Sequence, residues 1–112
     1  MRKDNALLQD ILDALDAIDT FLRGKSKEDF FQSDLLQSAV VRKLEIIGEA
    51  SKNISGELKK KYPAIQWRNI AGMRNILIHK YFGINIERVW ETTQKYVPEL
   101  KKQIAGIIKE LK

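Results

Sequence analysis

The chain of 112 residues contains no cysteine, so neither a disulfide framework nor a thiolate metal site is open to it. It has a single histidine, His79, which, with no thiolate to join it, argues against a zinc site built within one subunit. Helix breakers are scarce: two prolines and six glycines leave long uninterrupted stretches. No window holds the roughly 18 consecutive apolar residues of a membrane span. The start, MRKDNALLQD, turns acidic where a signal peptide would become apolar. These absences predict a soluble cytoplasmic protein with no membrane partner and no metal or other cofactor, whose chemistry rests on its own side chains. One domain over residues 1–112 is expected, and at this size a second copy would help to stabilise it.

Charge is abundant and unevenly placed. Residues 1–57 carry 8 Lys and Arg against 11 Asp and Glu, a balance of −3, whereas residues 58–112 carry 12 against 4, a balance of +8. From Leu58 to Ile86 there are Lys59, Lys60, Lys61, Arg68, Arg74 and Lys80 and no acid. A field of one sign favours a phosphate-bearing partner. A merely solvated basic face accounts for it equally well.

Apolar residues recur at helical spacing through most of the chain. Leu7, Leu8, Ile11, Leu12, Leu15, Ile18 and Leu22 predict a helix over 4–22, ended by Gly24. Ser26 and Asp29 are spaced to cap a short turn, and Ser33 precedes a second long stripe, Leu36, Val40, Leu44, Ile47, Ala50 and Ile54, which predicts a helix over 34–54. Within it Gly48 suggests a close helix crossing, and Arg42, Glu45 and Glu49 share a face where Arg–Glu pairing is the plain explanation. A short basic helix or turn over 55–62 should close at Pro63. A third main helix is predicted over 65–82, stopped by Gly83, and a fourth over 86–111 capped by Asn85, with Pro98 expected to kink it or begin a new one. Trp67 and Trp90 both fall on apolar stripes and read as core or interface anchors. The sum is an all-α, up-down four-helix bundle with one or two short accessory helices.

The stretch RNILIHKY, Arg74 to Tyr81, gathers the reactive groups. On a helix each residue advances about 100°, so Arg74 and Tyr81 lie within about 20° of each other, and Asn75 and His79 are neighbours at i and i+4. Arg74 and His79 are about 140° apart. An arginine fork matches a phosphate, and an imidazole titrates near neutrality. Together they are minimal equipment for metal-free RNA cleavage: His79 would deprotonate a ribose 2′-hydroxyl, and Arg74 would stabilise the developing charge on phosphorus. A second titrating group for the leaving oxygen is absent from one copy, and a two-fold dimer would supply it. The bland reading makes His79 a cap near a helix C-terminus and Tyr81 a half-buried aromatic at the helix end.

The pattern R-N-x-x-x-H-x-Y, here Arg74, Asn75, His79 and Tyr81, resembles the signature of the HEPN superfamily, and more narrowly the HepT-like toxins paired with a minimal nucleotidyltransferase antitoxin. The segments IIGEASKNIS (46–55), PAIQWRNIAGMRN (63–75) and GINIERVWETTQKYVPEL (83–100) are similar to the same family, so the likeness spans roughly residues 5–105. It implies a HEPN helical bundle, a homodimer whose two motifs line a shared cleft, and metal-independent endoribonuclease activity on RNA. It makes Arg74 and His79 the catalytic pair and Asn75 the residue that positions them. Tyr81 corresponds to the tyrosine to which the cognate nucleotidyltransferase transfers AMP, silencing the toxin of a type VII-like toxin–antitoxin system. Lys80 stands where many relatives have a small residue, either adding phosphate affinity or crowding the entrance. Lys59, Lys60, Lys61, Arg68 and Lys80 are candidates to track an RNA backbone. Two other classes of reading compete: a non-catalytic helical dimer that binds a nucleotide or the nucleotidyltransferase, and a plain helical dimerisation module.

Overall fold

The computed structural model describes residues 2–72 and 85–112. Six helical elements follow one another, with no strand among the described residues. Helix α1 spans Arg2–Leu22, α2 Lys27–Phe31, α3 Asp34–Lys52 and α4 Gly56–Lys61. Helix α5 occupies residues 67–72 and α6 spans Ile86–Leu111. The all-α class predicted from periodicity holds; for the third main helix, residues 67–72 are helical, and the remainder of that prediction, with the Gly83 stop, lies outside the described residues.

Local chemistry explains the boundaries. Gly24 follows α1 at a φ of +73°, a left-handed turn that glycine adopts without a side-chain penalty. Ser26 and Asp29 form a reciprocal capping box: the Ser26 amide donates to Asp29 Oδ2 at 2.9 Å, and the Asp29 amide donates to Ser26 Oγ at 3.1 Å. The hydroxyls of Ser33 and Ser55 accept from the amides of Leu36 and Leu58, starting α3 and α4, and Asn85 Oδ1 accepts from the Arg88 amide to start α6. Helix α3 ends at Lys52, two residues before the predicted limit, because the Asn53 amide turns back to the carbonyls of Ala50 and Ser51. Ile54 is nonetheless sealed in the core beyond the helix end. Pro98 begins no new element, since α6 runs unbroken through it. The proline sits on an exposed position, where the carbonyl that it leaves without a donor can be hydrated.

The apolar stripes converge on one core. Leu8, Ile11, Leu15 and Ile18 of α1, Val40, Leu44 and Ile47 of α3, and Val89, Val97, Ile104 and Ile107 of α6 are buried together. Helix α1 packs chiefly on α3 and then on α6. Each fully buried Leu or Ile contributes about 1.5–3 kcal/mol through the water it sheds, so the three long helices are held by their inner faces. Lys101 of α6 reaches Asp16 at 2.9 Å and Asp19 at 2.6 Å on α1, and Lys27 of α2 reaches Glu87 at 3.3 Å on the first turn of α6. No helix among the described residues is long and apolar enough to cross a membrane.

Candidate functional site

Arg74, Asn75, His79, Lys80 and Tyr81 lie outside the described residues. The elements on either side of them are well anchored. Upstream, Tyr62 leaves helical geometry at φ −124° and ψ 66° immediately before Pro63. Its carbonyl accepts a hydrogen bond from Trp67 Nε1 at 3.1 Å, which pins the indole over the turn that leads into α5. Trp67 and Ile70 are buried, so α5 is fixed to the core seven and four residues before Arg74 in the sequence. The Tyr62 hydroxyl donates to Glu110 Oε2 at 2.9 Å, and burial together with that carboxylate pushes the phenol pKa up.

Downstream, Asn85 caps α6 and Val89 plugs into the core. Trp90 is half-buried and packs on Phe30 with ring centroids 5.5 Å apart. Both tryptophans therefore serve as packing anchors, as their places on apolar stripes predicted.

The predicted backbone-tracking residues are not equivalent. Lys59 turns toward the end of α3, donating to the Lys52 carbonyl at 3.4 Å, and Lys61 stands over the Tyr62 ring with its ammonium 5.8 Å from the centroid. Lys60 and Arg68 are exposed. The three lysines share the last turn of α4, where positive charge complements the helix dipole. That placement gives them a structural role in addition to any contact with phosphate.

Between residues 64–70 and α6 runs an open groove with a volume of about 450 Å³. Leu44, Ile70, Val89 and Leu100 form its apolar floor, and Gln66, Asn69, Arg88, Thr92, Tyr96 and Gln103 supply the polar walls. Its α6 wall follows helical spacing over four turns, from Arg88 through Thr92, Tyr96 and Glu99 to Gln103. Asn69 Nδ2 donates to Gln66 Oε1 at 2.6 Å, so two amides act as one unit on the opposite wall. The groove touches the chain on both sides of residues 73–84, at Ile70 and at Asn85. Sequence reading missed this feature, although Tyr96, a large aromatic one residue off the apolar stripe, was a visible signal; it is 60% exposed.

A smaller depression between α1 and α3 is lined by Asp10, Arg42, Glu45 and Glu49. Arg42 reaches Glu45 at 3.6 Å, which is the intrahelical pairing predicted for that face.

Comparison with known proteins supplies the family. The model of the family described as "Ribonuclease HepT-like" matches residues 11–107. A "probable ribonuclease HepT" of Thermococcus cleftensis is 45% identical over 100 residues, covering 89% of this chain and 91% of that protein. A "putative RNase" of Caldanaerobacter subterraneus is 43% identical over 112 residues, covering both chains fully. A "gamma-glutamylcyclotransferase and putative RNase" of Methanocaldococcus jannaschii is 46% identical over 112 residues, 99% of this chain, and the chain spans 50% of that longer protein. No solved structure matches significantly. Taken with the all-α architecture and the motif at 74–81, these matches establish that the chain belongs to the HepT-like ribonuclease family of the HEPN superfamily.

Proposed function

We propose that this protein is the toxin of a type VII-like toxin–antitoxin pair and acts in the cytoplasm as a metal-independent endoribonuclease. The observation that carries the reading is the complete R-N-x-x-x-H-x-Y motif, Arg74, Asn75, His79 and Tyr81, in a chain that belongs to the HepT-like family. His79 takes the proton of a ribose 2′-hydroxyl, and the freed oxygen attacks the adjacent phosphorus. The bond to the 5′-oxygen breaks, leaving a 2′,3′-cyclic phosphate and a 5′-hydroxyl. Arg74 pairs with the non-bridging oxygens as charge builds on them, and Asn75 positions the pair. His79 of a second copy protonates the departing oxygen, so the homodimer is the active unit. Lys59, Lys60, Lys61, Arg68 and Lys80 hold the RNA backbone through salt-sensitive contacts without reading sequence.

Control falls to Tyr81. A cognate nucleotidyltransferase transfers AMP to its phenol, and at helical spacing that phenol shares a face with Arg74. The added nucleotide places bulk and negative charge across the cleft and occupies the arginine.

Purified protein should cleave RNA in the presence of a chelator, and Arg74→Ala or His79→Ala should abolish both cleavage and growth arrest while the helical signal by circular dichroism stays unchanged. Undiminished toxicity in both variants would remove the reading. A stable complex with the nucleotidyltransferase but no cleavage at high protein concentration would replace it with a non-catalytic binding dimer.

A further inference from the structure

We propose that the groove between residues 64–70 and α6 is a subsite for an unpaired nucleobase of the RNA, with Tyr96 as its stacking platform. The inference rests on the ribonuclease reading for the nature of the substrate and adds the element that chooses among substrates. Its volume of about 450 Å³ is that of a small-molecule site and suits a nucleobase with its sugar. Tyr96 stands 60% exposed, so a π-face is open to a base. Stacking on an aromatic is how proteins hold single-stranded nucleic acid irrespective of sequence.

The polar walls match the edge of a base better than a phosphate. Among the described lining residues Arg88 is the one cation, and Glu91 and Glu99 line the same groove, a formal balance of −1. A backbone-tracking channel needs the opposite sign. The amides of Gln66, Asn69 and Gln103 instead offer paired donors and acceptors, the complement of a Watson–Crick edge. A base in a duplex has that edge occupied and its faces stacked, so the groove discriminates for unpaired RNA. Ile70 and Asn85, which lie on either side of the motif in the sequence, both line the groove.

The test measures binding of fluorescein-labelled single-stranded homopolymers of A, C, G and U, and of a duplex of equal length, to the full chain carrying His79→Ala, with cleavage followed on the otherwise unaltered protein. Adding Tyr96→Ala should weaken binding of the single strands about 10-fold, Tyr96→Phe should restore it, and duplex binding should be unaffected. Asn69→Ala or Gln103→Ala should change the ranking of the four sequences. A folded Tyr96→Ala variant that binds single strands within about 2-fold of the parent overturns the subsite. A change of native mass caused by Tyr96→Ala also overturns it, making the groove a contact between copies. If the unaltered protein cleaves nothing yet binds single strands in a Tyr96-dependent way, the subsite stands and the ribonuclease reading falls.

Discussion

Asp4 and Ser55, 51 positions apart, are joined by two hydrogen bonds: the Ser55 amide donates to Oδ1 at 2.9 Å and the Ser55 hydroxyl donates to Oδ2 at 2.5 Å. Asp4 is 4% exposed, so its carboxylate sits in the first turn of α1 with Ser55 as the partner that compensates for lost water. Burial raises its pKa, but the Ser55 hydroxyl and amide, helped by the charge of Lys3, outweigh that effect and hold the group below its ordinary value of 3.8. The ionised form therefore favours the folded state. Its contribution is fully present above pH 3.8 and is lost as pH falls through the lower folded value. Asp4→Asn should lower the thermal midpoint at neutral pH, and the gap from the parent should close on acidification below about pH 4. A gap that is constant with pH would refute this account.

Ser55 is also the cap of α4, accepting from the Leu58 amide at 3.1 Å. Ser55→Ala removes the cap and the hydroxyl bond to Asp4 together while the amide bond to Asp4 stays, at a cost of about 1–3 kcal/mol. Asp4→Ala and Ser55→Ala should not add fully: in denaturant the double variant should lose less stability than the sum of the two, because the bond between the Ser55 hydroxyl and Asp4 is lost only once.

Lys101 links α6 to Asp16 and Asp19 on α1. The Asp19 and Asp16 carboxylates raise its pKa, so the clasp persists below the lysine's ordinary range and loosens only as pH rises through the elevated folded value. The Lys101 side chain is over a third exposed, and the effect on stability is correspondingly small. Lys101→Met should destabilise by about 0.2–1 kcal/mol in dilute buffer and by less in about 1 M salt, measured by urea midpoints.

Tyr81→Phe should escape neutralisation. Co-expression with the cognate nucleotidyltransferase should add multiples of AMP to the intact mass of the parent and none to the variant, and growth arrest should persist in the variant despite the partner. An AMP adduct on the Phe variant would move the acceptor to another residue.

The sequence discloses what is decided within a few residues. The caps at Ser26, Ser33 and Asn85 and the turn at Gly24 were readable because each acts within one turn of the chain. The buried stripes of α1, α3 and α6 were readable from their period. Asp4 to Ser55 and Lys101 to Asp19 were not, since nothing local distinguishes a surface Asp or Lys from one that meets a partner 51 or 82 positions away. The groove was hidden for the same reason: it exists only where residues 64–70 come beside α6. Pro98 was misjudged as a possible helix start because the cost of a missing donor depends on exposure, which the sequence does not display.

Helix α6 turns two consecutive residues to opposite purposes: Val97 is 2% exposed within the core, and Tyr96 stands in the groove. A close-packed interior transmits small volume changes to the backbone that carries them. A change of side-chain volume at Val97 is therefore felt one residue away, at Tyr96, with no residue of the groove replaced.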